Sequence, residues 1–293
     1  MTIKSIKSGF GIGCLIFAVA AIIALPVRFL QFFTVIEEGT GFYTGEHWSV
    51  FFLYAVLAVA IIAILFLGFA RRKKLDYSLE AIKRPGLAAF SIVAAGGILL
   101  DAYNCFVKIS SPVYSNSDLP MDSSNAVLAL ECVFAVLSAV YFIILWITYL
   151  KGKAFNSKAG VLSLAPVIWC IFRLVFRFMR TISYIRVSEL MFEMIMIAFL
   201  IMFFMAFAQV NTGIGGAKNE WKIAAYGLPA ALMALICFVP SFILTVGGFE
   251  ELLYDYSTVE FSNIGIALFV VATILTRVTE KLPEENEIYS AEG

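Results

Sequence analysis

Charge is scarce in this chain. Only 14% of its 293 residues are Asp, Glu, Lys or Arg, where an ordinary soluble domain carries about 25%. Apolar residues make up 61%, and mean hydropathy is +0.93, which excludes a conventional water-soluble fold. The charge that is present cancels, 21 basic against 21 acidic residues, so no net field favours nucleic acid or an acidic partner. Histidine is nearly missing. His47 is the one imidazole, too few for an HExxH zinc site or most histidine-ligated metals, and a Ser/His/Asp triad would have to be built on that residue. Cys14, Cys105, Cys132, Cys170 and Cys237 fall in apolar stretches without a CxxC pair, and read as small buried hydrophobes. The glycines from Gly213 to Gly216 lack the GxxxxGK phosphate pattern. The composition implies no cofactor, no metal and no catalytic set, and the reading is of a non-enzyme.

Long apolar runs are what the chain has in plenty. A helix crossing a hydrocarbon core about 30 Å thick, at about 1.5 Å per residue, needs about 20 mostly apolar residues. Such runs lie near 10–35, 49–70, 86–108, 125–150, 159–184, 189–210, 222–247 and 263–279. Backbone groups must be satisfied internally in lipid, so each run is a helix. The expectation is an all-α, polytopic transmembrane bundle of eight spans over 1–281, followed by an acidic tail, 282–293, that reads as disordered and cytoplasmic. Lys4 and Lys7 before the first run suggest a signal peptide, but the run continues to Ile36 and is kept as a span.

Charge placement sets the orientation. With the N-terminus inside, the inner segments carry Lys4, Lys7, Arg71, Arg72, Lys73, Lys74, Lys83, Arg84, Lys151, Lys153, Lys158, Lys218, Lys222, Arg277 and Lys281, against Lys108 and Arg186 outside. The outer loops are acidic, with Glu37, Glu38, Glu46, Asp118, Asp122, Glu250, Glu251, Asp255 and Glu260. Positive-inside bias therefore predicts both termini in the cytoplasm of a bacterial cytoplasmic membrane. Membrane lipids are the expected partners, and nothing in the sequence identifies a protein partner.

Short matches recur between the halves. Pro26-Val27 with Pro166-Val167, Phe69-Ala70 with Phe207-Ala208, Gly86-Leu87 with Gly227-Leu228 and Ser124-Asn125 with Ser262-Asn263 are offset by 140, 138, 141 and 138 residues. A nearly constant offset is the sign of a repeat. Two four-span halves, 1–151 and 152–281, compete here with coincidence among apolar helices.

Charges within spans carry the functional reading. Each ionised side chain at mid-bilayer costs about 2.5 to 3.5 kcal/mol on insertion scales, so each needs a compensating reason. Arg28, Asp101, Glu131, Arg173, Arg177, Arg180, Glu189 and Glu193 nearly all lie toward the outer ends of their spans. Arg173, Arg177 and Arg180 share one helical face. An antiparallel hairpin of spans 5 and 6 sets Arg180 level with Glu189 and Arg177 level with Glu193. Arg173 finds no acid on span 6, so its partner is Asp101, Glu131, a carbonyl or a group from outside. Two readings stand. In one, Arg28, Gln31, Asp101, Glu131, Arg173, Arg177 and Glu193 form an outward-facing site for a polar or anionic solute or lipid headgroup, since arginine forks suit carboxylate and phosphate. In the other, the charges are ion pairs that fix helix packing in a scaffold or sensor subunit.

The stretch Pro26 to Tyr43, PVRFLQFFTVIEEGTGFY, resembles the first-hairpin signature of an uncharacterised group of multi-pass membrane proteins from Gram-positive anaerobic bacteria. Arg28 and Gln31 match that group's Arg-x-x-Gln, whereas Glu37-Glu38-Gly39-Thr40-Gly41 departs from its DPETG-like segment. The segment PVIWCIFRLVFRFMR, Pro166 to Arg180, and the later FFMAFAQV are similar to it as well. The resemblance implies multi-pass topology and no particular activity.

Overall fold

The structure, a computed structural model, describes residues 3–36, 43, 47–70, 83–110, 121–152, 160–179, 187–213, 220–249 and 259–279. Eight α-helices are found there: α1 Ile3–Thr34, α2 Trp48–Ala70, α3 Pro85–Ser110, α4 Met121–Lys151, α5 Ala165–Met179, α6 Val187–Asn211, α7 Glu220–Val246 and α8 Phe261–Thr279. With a 3-10 turn, Val161–Leu164, extending α5, all eight are long and apolar enough to cross a membrane. The chain is an all-α, membrane-embedded bundle, as the runs predict. Arg180, the Glu189 side chain, the segment 71–74 and the tail 282–293 lie outside the described residues.

Helix ends follow local chemistry. His47 Nδ1 takes the Ser49 N–H at 3.3 Å, so the single imidazole caps α2. Pro85 opens α3, where its missing N–H has no helical partner to lose. Pro166 is likewise in the first turn of α5, unlike Pro26, which lies well inside α1; the two matched prolines do different work. Gly248 ends α7 with φ 76°, and the Phe249 N–H reaches back to Leu244 O at 2.9 Å, a Schellman closure. Hydroxyls within the spans turn onto their own helix: Ser91 donates to Leu87 O at 2.7 Å, and Thr148 to Ile144 O at 2.8 Å.

Helix α7 is the axis of the bundle. It is buried almost continuously from Ile223 to Ile236 and packs on α1, α2, α6 and α8. Helix α3 packs on α4 and α8, while α5 bridges α4 and α6. Rings from Phe142, Phe203, Phe207 and Phe269 interlock at the centre, with Phe142 and Phe269 centroids 5.0 Å apart. Apolar burial alone drives little association in lipid, so close backbone contact matters more. The tightest crossing joins α3 to α8. A Cβ on Gly97 would lie 2.5 Å from Phe261 O, and one on Gly265 would lie 2.9 Å from Ala94 Cα. Large side chains such as Ile22, Val59, Phe66 and Phe178 face outward as the lipid surface.

Candidate functional site

Polar side chains gather at the end of the bundle where α1, α3, α5 and α7 finish and α2, α4, α6 and α8 begin. Spacing places Arg173 and Arg177 one turn apart on the face of α5 that carries Pro166, Trp169 and Cys170, and that face is buried. Arg173 is 2% exposed. Its guanidinium stacks 5.4 Å from the Trp169 ring centroid. Through Nη2 it pairs with Glu260 Oε2 and donates to Asn263 Oδ1 at 2.8 Å. Its Nη1 is buried with no hydrogen-bond partner among the described residues. Arg177 Nη2 pairs with Glu260 Oε1, and its Nε lies 2.7 Å from Glu193 Oε2.

The Arg177–Glu193 pairing follows the hairpin register expected from sequence. Arg173 is the correction. Its acid is Glu260, 87 residues away, at the entry to α8, and none of the partners expected for it. Glu260 reads from sequence as one more acid of an outer loop. Packing of α8 against α3 is what carries it between the two arginines. Burial alone would raise its pKa, but the Arg173 and Arg177 guanidiniums reverse that and hold the carboxyl below the usual range.

Asp101 has a separate role. Its Oδ1 takes the Phe261 N–H and its Oδ2 the Ser262 N–H, each at 3.0 Å, so a carboxylate on α3 caps the first turn of α8. Such a group satisfies otherwise orphaned donors and suits the positive end of the helix dipole. Gly97, one turn earlier on α3, gives the α8 backbone room to approach. Glu131 is buried on α4; its Oε1 takes the Cys105 thiol at 3.9 Å, while Oε2 has no hydrogen-bond partner among the described residues.

Arg28 meets aromatic and neutral groups among its partners. It is 2% exposed, with its guanidinium 4.8 Å from the Phe32 ring centroid and 5.4 Å from that of Phe192, distances suited to cation–π attraction. Nη1 donates to Gln31 Oε1 at 3.1 Å and to Tyr43 Oη at 2.9 Å. Gln31 is oriented in turn by donating to Ser49 O at 3.0 Å. Tyr43 returns to α1 through an isolated antiparallel bridge between Ile36 and Tyr43.

A cavity of about 40 Å³ opens between α1, α6, α7 and the start of α8, room for a few waters. Its polar wall is Arg28, Glu193, Ser241, Glu260 and Asn263, and its apolar wall includes Phe32, Phe192, Ile236 and Phe238. Pro240 removes the N–H that would bond the Ile236 carbonyl, which loosens α7 at this level. Of the residues singled out from sequence, Arg28 and Glu193 line the cavity, and Gln31 positions Arg28. Arg173 and Arg177 stand behind Glu260. Asp101 and Glu131 lie on α3 and α4, away from the cavity wall.

Sequence reasoning missed Glu260, Asn263, Ser241 and Tyr43 as members of the site. One signal was available for Glu260 and Asn263, an acid three residues before a neutral polar side chain at a helix start. No family model, curated protein or solved structure matches this chain.

Proposed function

We propose that this integral membrane protein binds a small polar or anionic solute, or the headgroup of a lipid, in the cavity between α1, α6, α7 and α8, and moves it across the bacterial cytoplasmic membrane. One observation carries the reading: a buried arginine, Arg28, stacked between two rings and facing a polar cavity beside Glu193 and Asn263. A fixed guanidinium fork is suited to a carboxylate or phosphate. Pro240 removes one rung of the α7 hydrogen-bond ladder at the same level, while the helix runs on to Val246. Positive-inside bias supports both termini in the cytoplasm, so that this end faces outward. No cofactor or catalytic group enters the reading.

A second reading has its own support. Arg173 and Arg177 are engaged with Glu193 and Glu260, as in a scaffold or sensor subunit whose charges organise helices. Thermal unfolding of detergent-purified protein against anionic and zwitterionic solutes and lipids separates the two. A ligand of the folded state raises stability by RT ln(1 + [L]/Kd). Binding predicts a saturable shift lost in a still-folded Arg28→Gln. Absence of any shift, with early unfolding of Arg173→Leu, would establish the scaffold reading instead.

A further inference from the structure

Away from the cavity, where α3, α4 and α5 meet, two buried polar atoms of opposite sign have no hydrogen-bond partner among the described residues. One is Glu131 Oε2, on a side chain that is 5% exposed and whose other oxygen meets the Cys105 thiol at 3.9 Å. The other is Arg173 Nη1. We infer that Glu131 is a proton-binding site: it carries a proton while Glu260 holds Arg173, and on losing that proton its carboxylate takes up Arg173 Nη1. The inference does not depend on a ligand in the cavity.

Glu131 lies six residues past Asn125, where the apolar span of α4 begins, or about 9 Å deep at about 1.5 Å per residue. No cation comes within ion-pair distance of it among the described residues. The adjoining network is balanced without it, since Arg173 and Arg177 bring two positive charges and Glu193 and Glu260 two negative ones. Asp101 is engaged with the first turn of α8. A carboxylate here would add an unpaired charge to a buried network, which costs more than a neutral acid with one hydrogen bond unmade.

Opposed fields make the proton exchangeable. Burial and the Glu260 charge favour the neutral acid, whereas Arg177 and Arg173 on α5 and Lys108 on α3 favour the carboxylate. The remaining titratable neighbours are thiols: Cys105 on α3, Cys132 on α4 and Cys170 on α5.

Register brings the two unpartnered atoms to one level. Phe134 on α4 stacks on Phe172 on α5, with centroids 5.4 Å apart. These helices are antiparallel neighbours, so one turn back toward the start of α4 sets Glu131 between Arg173 and Arg177 in depth. When the Oε2–H bond breaks, its electron pair stays on Oε2, the proton passes to water at the bundle end, and Oε2 accepts from Arg173 Nη1. Arg173 then divides its charge between Glu131 and Glu260. Glu260 and Asn263 line the cavity, so the proton on Glu131 is felt there through Arg173.

Infrared spectroscopy of full-length protein in nanodiscs tests the proton directly. At neutral pH the wild type should show the carbonyl band of a protonated carboxyl. That band should shift on isotope labelling of glutamate, vanish in Glu131→Gln and fade as pH rises. Absence of the band at neutral pH, or its survival in Glu131→Gln, overturns the inference. Trp169, which stacks on the Arg173 guanidinium, reports the second half of the step. With Trp48, Trp146 and Trp221 replaced by Phe, Trp169 emission should change with the same midpoint as the band, and Glu131→Gln should remove the change. Emission that stays constant while the band fades, or that still titrates in Glu131→Gln, overturns the coupling to Arg173. Should Glu131→Gln fail to fold, Glu131→Asp in protein labelled at glutamate decides the matter. The band loses its isotope shift if residue 131 is the source, and keeps the shift if the inference is wrong.

Discussion

Helix α8 is held at both ends by ion pairs, and the two ends are built differently. At its start, Glu260 forks between Arg173 and Arg177, Asn263 meets Arg173, and Asp101 caps the first turn from α3. At its finish, Arg277 Nε meets Glu220 Oε2 at 2.8 Å, and its Nη1 returns to Thr273 O in the same helix. The first arrangement ties α3, α5, α6 and α8 together beneath a cavity. The second joins two helix termini, since Glu220 is the first residue of α7 and Arg277 lies two residues before the end of α8. A charge deep in a span needs a partner at that depth, whereas one at a terminus can turn to headgroups and water. The shared network should therefore be the more costly to break.

Glu260→Gln tests this most severely. It leaves two buried guanidiniums sharing a neutral amide, and loss of one partner from a buried pair costs about 3 to 5 kcal/mol. Thermal or denaturant unfolding in detergent should show the largest loss of any single change at this end; a melting point equal to the wild type would mean that the arginines find other partners without strain. Acid should imitate the substitution. Because folding depresses the pKa of Glu260, its stabilising effect is complete above the ordinary glutamate value of about 4.3. It is lost as pH falls through the lower folded value, and Glu260→Gln should flatten that acid limb.

Gly97→Ala comes next. The added Cβ would sit against the Phe261 carbonyl and the Ser262 backbone, which cannot rotate away as a side chain could. Overpacking of this kind costs about 1 to 3 kcal/mol. Gly96→Ala is the internal control, because nothing lies within 4 Å of its Cβ position, and it should melt with the wild type or slightly above. Equal loss from the two glycines would show that the close approach of α3 to α8 at Gly97 is not what the added methyl disturbs.

Asp101→Ala removes the cap. The expected loss is about 1 kcal/mol, as for other helix caps, with Asp101→Asn recovering part of it. Faster amide exchange confined to Phe261 and Ser262 is the matching local signature. An Asp101→Ala loss as large as that of Glu260→Gln would place Asp101 inside the charge network as well as on the helix end.

What the sequence made legible divides along the same line. The eight spans, and the register of Arg177 with Glu193, depend on local composition and on a hairpin between neighbours in sequence, so both could be read directly. The pairing of Arg173 with Glu260, and of Asp101 with the α8 backbone, depends on α3 and α5 meeting the start of α8 across long stretches of chain. No periodicity encodes such a meeting. Gly97 and Gly265 could have suggested a close crossing, but not which helix each would face. Arg28 was legible as a buried charge; that it stacks between Phe32 and Phe192 was not, because Phe192 arrives from α6.

The smallest effect should come from the far end. Glu220→Gln removes the carboxylate facing Arg277 and the favourable charge at the first turn of α7, the latter worth about 0.3 to 1 kcal/mol. Although both partners are largely buried within the protein, Arg277 is close enough to its helix end to carry its guanidinium to the headgroup level. The total loss should therefore stay near 1 kcal/mol, and anionic lipid should reduce it further by offering Arg277 a phosphate. Melting curves in nanodiscs with and without phosphatidylglycerol provide the check. If Glu220→Gln is as damaging as Glu260→Gln and indifferent to lipid charge, the far end is also a closed internal network, and the contrast between the two ends of α8 fails.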